Sequence, residues 1–201
     1  MCRENQRAVT EYRVNKMTGK LFILSGPSGV GKGTLRENAL KNFNNLVYSI
    51  SCTTREPREG ETNGVEYRFI SRDEFEQGIN NNLFLEYARV HENYYGTLKS
   101  DVIQELESGK NVLLEIDVQG ALQVREKMND SILIFIAPPS IEELSRRLIN
   151  RNTETQHDLN IRLANAKREL ELANKYDYIV VNDDLDSASR KLQEIFINES
   201  R

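Results

Sequence analysis

The run Gly26-Pro27-Ser28-Gly29-Val30-Gly31-Lys32-Gly33-Thr34 decides the fold. It follows the apolar segment Leu21-Phe22-Ile23-Leu24 and leads into Leu35, Ala39 and Leu40 at helical spacing. Strand, glycine-rich loop, lysine and helix is the order in which backbone N–H groups can turn inward onto a nucleotide's phosphate oxygens. The helix N-terminus adds partial positive charge there, and Lys32 adds a full one. A glycine-rich turn without a ligand is the simpler alternative, but the strand before and the helix after are the context a phosphate loop requires. One position departs from the common pattern. The residue after the lysine usually carries a hydroxyl for magnesium; here it is Gly33, with Thr34 one step later.

The rest of the composition sets bounds on what this loop can belong to. A chain of 201 residues is ample for one globular domain with inserted lobes. Its net charge of -4 argues against a general nucleic-acid binder while leaving room for local basic pockets. Cys2 and Cys52 have no metal-ligand spacing, and so few cysteines fit a reducing, cytoplasmic setting. The longest apolar runs are strand-sized, so no membrane span is expected. Met1 to Thr18 is polar, without the apolar centre of a secretory signal, and reads as a disordered extension in which Met17 is an alternative start.

Strand and helix patterns then alternate. Strands are expected at Lys20–Ser25, Val47–Thr53, Val65–Ile70, Phe84–Val90, Tyr94–Thr97, Asn111–Asp117, Ile132–Ala137 and Tyr178–Val181. Helices are expected at Gly31–Asn42, Ser71–Ile79, Lys99–Ser108, Ala121–Met128, Ser140–Asn150, Asp158–Lys175 and Leu185–Ile197. Two of them open on capping boxes, Ser71-Arg-Asp-Glu74 and Ser140-Ile-Glu-Glu143. The runs Leu21–Leu24, Val112–Leu114, Ile132–Ala137 and Ile179–Val181 are nearly unbroken in apolar residues. Such strands are buried on both faces, which predicts an α/β fold with a parallel sheet covered by helices. Residues 53–97, richer in tyrosine and alternating strands, read as an inserted β-rich lobe.

Four further constellations carry charge where chemistry could use it. Arg55 and Arg58 flank a proline-stiffened turn ahead of Glu61, and each guanidinium can fork onto phosphate oxygens, with Tyr67 and Tyr95 as hydroxyl donors. A solvated charged loop fits the same spacing. Glu86 sits in an apolar and aromatic strand. A carboxylate there can accept both the N1–H and the N2 amine of guanine, a pair that adenine lacks, with Ser51 and Thr97 available to O6. An outward-facing Glu86 on an edge strand is the bland alternative. Glu115 and Asp117 close an apolar strand, a placement that suits magnesium beside a phosphate loop, with Asp117 the better candidate, directly or through water. Arg147 and Arg151 lie four apart on one helical face, a polar segment follows, and Arg162 comes later. Residues 147–162 therefore read as a mobile lid whose arginines reach transferring phosphate, or else as a surface helix–loop–helix. Asn174-Lys175-Tyr176-Asp177 matches the guanine reader of GTPases by letter only, because it ends a helix rather than following a strand. His91 and His157 have no ligand or triad spacing.

The joint order of these segments resembles the guanylate kinases from about Gly19 to Phe196. It is carried by the phosphate loop, Ser51-x-Thr-Thr-Arg55-x-x-Arg58-x-Gly-Glu61, Asn93-Tyr-Tyr95-Gly-Thr97, Ile116-Asp117-x-Gln-Gly120, the arginine segment and Val181-Asn182-Asp183-Asp184. The resemblance implies a P-loop core over residues 19–52 and 98–201, a GMP-binding lobe over 53–97, and transfer of a phosphoryl group from MgATP to GMP or dGMP. It implies ATP at Gly26 to Thr34 with Asn182 near the adenine, and GMP at Ser51, Arg55, Arg58, Glu61, Tyr67, Glu86, Tyr95, Thr97 and Asp117. Lys32, Arg147, Arg151 and Arg162 would act on the transferring group. Asn152 departs from the glycine usual after the second lid arginine, and Glu115 stands where many relatives have aspartate. Gly33 followed by Thr34 is a variant of the monophosphate kinases, which leaves magnesium to ATP oxygens, waters and Asp117. Two other readings are a non-catalytic interaction module of the same fold and a kinase for another phosphorylated acceptor, such as a ribose bisphosphate. The intact loop argues against the first, and Glu86, Ser51 and Thr97 argue against the second.

Overall fold

The computed structural model describes residues 18–90, 92–149 and 156–201. All of the expected extension at residues 1–18 except Thr18 lies outside them, as do His91, Arg151 and Asn152. The central sheet has five parallel strands: β2 (Leu46–Tyr48), β7 (Asn111–Glu115), β1 (Leu21–Ser25), β8 (Ile132–Ala137) and β9 (Tyr178–Val181), in that spatial order. Alternation along β1 splits its side chains between two cores. Phe22 and Leu24 join Leu35, Ile134, Leu192 and Phe196 on one face, and Leu21 and Ile23 join Val102, Leu114, Val118 and Phe135 on the other. The first face is covered by α1 (Lys32–Asn42), α5 (Ile141–Ile149), α6 (Gln156–Glu171) and α7 (Leu185–Glu199). The second is covered by α3 (Lys99–Glu107) and α4 (Val118–Lys127). Phe22 and Phe196 meet edge to face at 4.7 Å, fixing α7 against the sheet.

A second, mixed sheet of four strands stands beside it, in the order β4 (Arg68–Phe69), β3 (Cys52–Thr53), β6 (Asn93–Leu98) and β5 (Phe84–Val90). It has its own small core, in which Phe75 of α2 (Arg72–Asn80) is stacked 4.3 Å from Phe84 and 5.2 Å from Tyr94. The Ser71 capping box forms in full.

Several strand expectations change. Val47–Thr53 is not one strand: β2 pairs with β7 in the parallel sheet, and β3 pairs with β4 and β6 in the other, so the chain changes sheets between them. The strand expected at Val65–Ile70 shortens to Arg68–Phe69. β7 stops at Glu115, and Asp117 is instead the N-cap of α4, accepting from the Gly120 N–H at 2.7 Å, so that helix begins three residues earlier than expected. The second capping box is only half used. Ser140 Oγ accepts from Glu143 N at 3.1 Å, while the Glu143 carboxylate turns to Arg146 and Arg147. The long helix ends at Glu171 and tightens into a 3₁₀ turn at Ala173–Lys175. β9 is not buried on both faces: it is a sheet edge with Ile179 and Val181 exposed, and only Val180 is fully enclosed.

β5 breaks the two-residue alternation. Phe84, Leu85 and Glu86 are all buried, because the pairing with β6 shifts register between Phe84 and Glu86. The irregularity sends Phe84 into the small core and Leu85 into the main one, and it turns Glu86 inward between them.

Candidate active site

The phosphate loop spans the gap between β1 and α1, with Gly26, Pro27 and Val30 buried and Ser28 exposed. Lys32 Nζ folds back across it, donating to the carbonyls of Gly26 at 2.6 Å and Pro27 at 3.1 Å. This pins the ammonium at the mouth of the loop, where an anionic oxygen would compete for it. Gly29 packs against Leu148, and Gly31 has φ +96, the left-handed region that disfavours side chains. A Cβ on Gly31 would lie 2.5 Å from Asn182 Nδ2. Asn182 is only 6% exposed; its side-chain amide donates to Val30 O at 2.7 Å, and its backbone carbonyl accepts from Arg147 at 3.0 Å. It therefore braces the loop from behind, a role that sequence reasoning did not supply. Gly33 and Thr34 form the first turn of α1, Thr34 exposed, and a Cβ on Gly33 would meet open space. Of the arginines expected to act on the phosphates, Arg162 donates to Ser28 Oγ at 3.3 Å, and Arg147 is held by Glu143 at 2.8 Å. Arg151 lies outside the described residues.

A second charged cluster forms on the other sheet. Arg55 is held in a fork by both oxygens of Glu61, each at 2.9 Å, and Glu61 also accepts from Arg58 N at 2.8 Å. The guanidinium lies 5.5 Å from the Tyr67 ring, whose own edge-to-face partner is Tyr95 at 5.8 Å. The bond from Glu61 holds the Arg55 pKa above its ordinary value, with Tyr95 adding a second bond. Burial raises the Tyr67 hydroxyl, so it stays a donor at neutral pH. Arg58 enters this arrangement through its backbone, and its side chain is exposed.

Glu86 is 3% exposed and accepts from Thr97 Oγ1 at 2.6 Å. Burial pushes its carboxyl up to about 7, against the pull of the Thr97 hydrogen bond. Ser51 is buried beside the start of β3. Asp117 faces the same space, raising the Glu86 pKa by like charge. A cleft of about 470 Å³ opens beside Asp117, lined by Arg89, Asp117, Gln119, Asn165, Arg168 and Glu169; Glu86, Ser51 and Thr97 are not part of its lining. Burial raises the Glu169 pKa, and Lys32 draws it back down, so the cleft reaches the field of the loop lysine.

One group went unseen in the sequence. Arg36, one helical turn past Lys32 on the same face of α1, bonds Glu115 at 3.0 Å and lies 4.6 Å from the centre of the Tyr48 ring. Its four-residue spacing from the lysine was the available signal. Glu115 is thereby committed to Arg36, away from Asp117. Asp177, the acid of the misleading GTPase-like tetrad, pairs with Arg125 and caps Leu133 N at 2.8 Å.

A glycine-rich loop closed by a lysine, between a strand and a helix of a helix-covered parallel sheet, defines the P-loop class of nucleotide-binding folds, here joined to a second sheet with its own carboxylate-held arginine. The guanylate kinase family model matches residues 18–199, and the chain belongs to that family. The guanylate kinase of Clostridium tetani is 53% identical over 181 residues, covering 90% of this chain and 86% of its own. That of Bacillus subtilis is 50% identical over 185 residues, covering 92% and 91%. The crystal structure of guanylate kinase from Anaplasma phagocytophilum superposes with a TM-score of 0.73 at 35% identity, covering 90% of this chain and 86% of that one.

Proposed function

We propose that this chain transfers the γ-phosphoryl group of ATP to the phosphate of GMP or dGMP, giving ADP and the nucleoside diphosphate. The observation that carries the choice of acceptor is Glu86, a carboxylate buried beside Thr97 in a fold whose phosphate loop is intact. An ionised Glu86 accepts the N1–H and N2 amine of guanine together, whereas an adenine presents an acceptor to it and leaves the carboxylate unpaired. Arg55, preset by Glu61, and the Tyr67 and Tyr95 hydroxyls take the acceptor phosphate, with Arg58 closing over it from the surface. Ser51 completes the base site, while Thr97, whose one hydroxyl proton goes to Glu86, orients that carboxylate.

On the donor side, backbone N–H groups of Ser28 to Thr34 and the ammonium of Lys32 hold the β- and γ-phosphates, and Asn182 keeps the loop in shape. An oxygen of the GMP phosphate attacks the γ-phosphorus as the bond to the β–γ bridging oxygen breaks, and ADP leaves with that electron pair. The acceptor is already an oxyanion, so no general base is required. Positioning and charge neutralisation by Lys32, Arg147, Arg151 and Arg162 supply the catalysis.

Among the described residues no group of three acidic, histidine or cysteine side chains gathers as a metal cage. The cleft lined by Asp117 suits magnesium, which keeps its waters and is held by substrate phosphates with one or two carboxylates. Asp117 is the carboxylate we assign to it, through water, because one of its oxygens already caps α4. The ion would neutralise charge on the phosphate oxygens. No described helix is long and apolar enough to cross a membrane, and we place the reaction in the cytoplasm.

ADP release should be measured with GMP, dGMP, AMP, CMP and UMP as acceptors. Turnover confined to the guanine nucleotides is expected; equal rates with AMP or UMP overturn the proposal.

A further inference from the structure

Among the described residues β5 is the outer strand of its sheet, so one row of its backbone groups has no strand partner there. Edge groups left bare are weakly held and invite slippage. In this chain α4 covers them. Gln123 uses both ends of its amide on Tyr87, accepting from Tyr87 N at 3.3 Å and donating to Tyr87 O at 2.9 Å. One turn further on, Lys127 Nζ donates to Leu85 O at 2.6 Å. The two side chains thus grip the residues on either side of Glu86, across the irregularity that turns Glu86 inward. A third residue of the same helix face, Gly120, supplies space: a Cβ there would lie 2.5 Å from Glu86 Oε2. Gly120, Gln123 and Lys127 recur at spacings of three and four, which is one stripe of α4. The N-cap of that helix is Asp117.

We propose that this stripe of α4 aims the Glu86 carboxylate, and that Gln123 is a positioning residue for guanine recognition. This rests on the reading of Glu86 as the guanine acceptor. A carboxylate bonded to two donors on one base edge must be set in both distance and rotation. A rigid sheet interior would do this, but an edge strand with a local irregularity does not hold itself. Gln123 mimics the missing strand with one donor and one acceptor, Lys127 fixes the bulged carbonyl, and Gly120 admits the carboxylate without contact strain. Rotation of the carboxylate matters most when two hydrogen bonds must form at once, so the stripe should weigh more on GMP than on IMP, which offers N1–H alone.

The test compares wild type, Gln123→Ala and Gly120→Ala with GMP and IMP as acceptors, each also in a Glu86→Gln background. Gln123→Ala loosens the strand, whereas Gly120→Ala displaces the carboxylate and leaves the backbone grip intact. Both are expected to raise the KM for GMP by about tenfold or more while moving kcat and the KM for ATP less than about twofold. Both should reduce the GMP-over-IMP preference, and neither should add to the loss in the Glu86→Gln background. Gln123→Asn, which keeps the amide but shortens its reach, should fall between wild type and Gln123→Ala. Equal losses for GMP and IMP, or losses that persist undiminished without the Glu86 carboxylate, mean that the stripe is only structural and overturn the inference. A Gln123→Ala enzyme with unchanged GMP kinetics overturns it as well. If wild type itself shows no preference for guanine nucleotides, the underlying reading of Glu86 has failed, which is a separate result.

Discussion

Replacing Glu86 by Gln should stabilise the ligand-free protein while weakening its use of GMP. The carboxyl titrates near 7 in the folded state, raised from 4.5 chiefly by burial. For an acid this is the unfavourable direction. The folded state holds the proton more tightly than the unfolded one, so stability is undiminished below about pH 4.5, falls as pH rises towards 7, and stays lowered above it. A difference of about 2.5 pKa units at roughly 1.36 kcal/mol each costs about 3 kcal/mol at pH 8.5, shrinking to about 1 kcal/mol at pH 5. Gln has nearly the same shape, keeps a carbonyl for the Thr97 hydroxyl, and carries no charge to desolvate. At roughly 2–4 °C per kcal/mol for a chain of this length, the variant should melt about 6–12 °C above wild type at pH 8.5 and only a few degrees above it at pH 5. Thermal unfolding of both apo proteins at the two pH values, followed by circular dichroism, reads this directly. Isothermal titration should show ATP binding retained and GMP binding weakened by about tenfold or more. A variant no more stable than wild type at pH 8.5, or one whose gain is the same at both pH values, refutes the reasoning: Glu86 would then not be a buried charge at all.

Gly31→Ala should lower stability by about 2 kcal/mol in urea unfolding and raise the KM for ATP severalfold. It forces a side chain into φ +96 and against the Asn182 amide that braces Val30; an unchanged urea midpoint would count against the bracing role. Phe75→Ala removes the ring stacked between Phe84 and Tyr94 and should cost about 3–5 kcal/mol. Because that small core is separate from the two flanking the parallel sheet, GMP affinity should drop well before ATP affinity. Parallel losses of the two in calorimetry would show the cores to be energetically one.

What the sequence made legible is local. The strand, loop and helix around Lys32 announce themselves within about twenty consecutive residues, and the Ser71 box is complete in four. The site is harder, because Arg55, Glu61, Tyr67, Glu86 and Tyr95 come from separate segments, and only the resemblance to a family joined them. Two kinds of feature left no local trace. Val47 to Thr53 is a plausible single strand residue by residue, and nothing in its side chains records that the backbone leaves one sheet for another after Tyr48. Glu115 and Asp117 looked like neighbours on one strand face, yet a helix cap took Asp117 and an arginine from α1 took Glu115. In both cases the deciding partner is distant in sequence. The same holds for Glu86. Whether it pointed in or out turned on an irregularity opposite β6 and on a glycine thirty-four residues later. A carboxylate is kept inside an edge strand only where something outside that strand makes room for it and holds it still. The stretch Asp117 to Lys127, which reads in the sequence as an ordinary acid followed by an ordinary helix, is the part of the chain that does both.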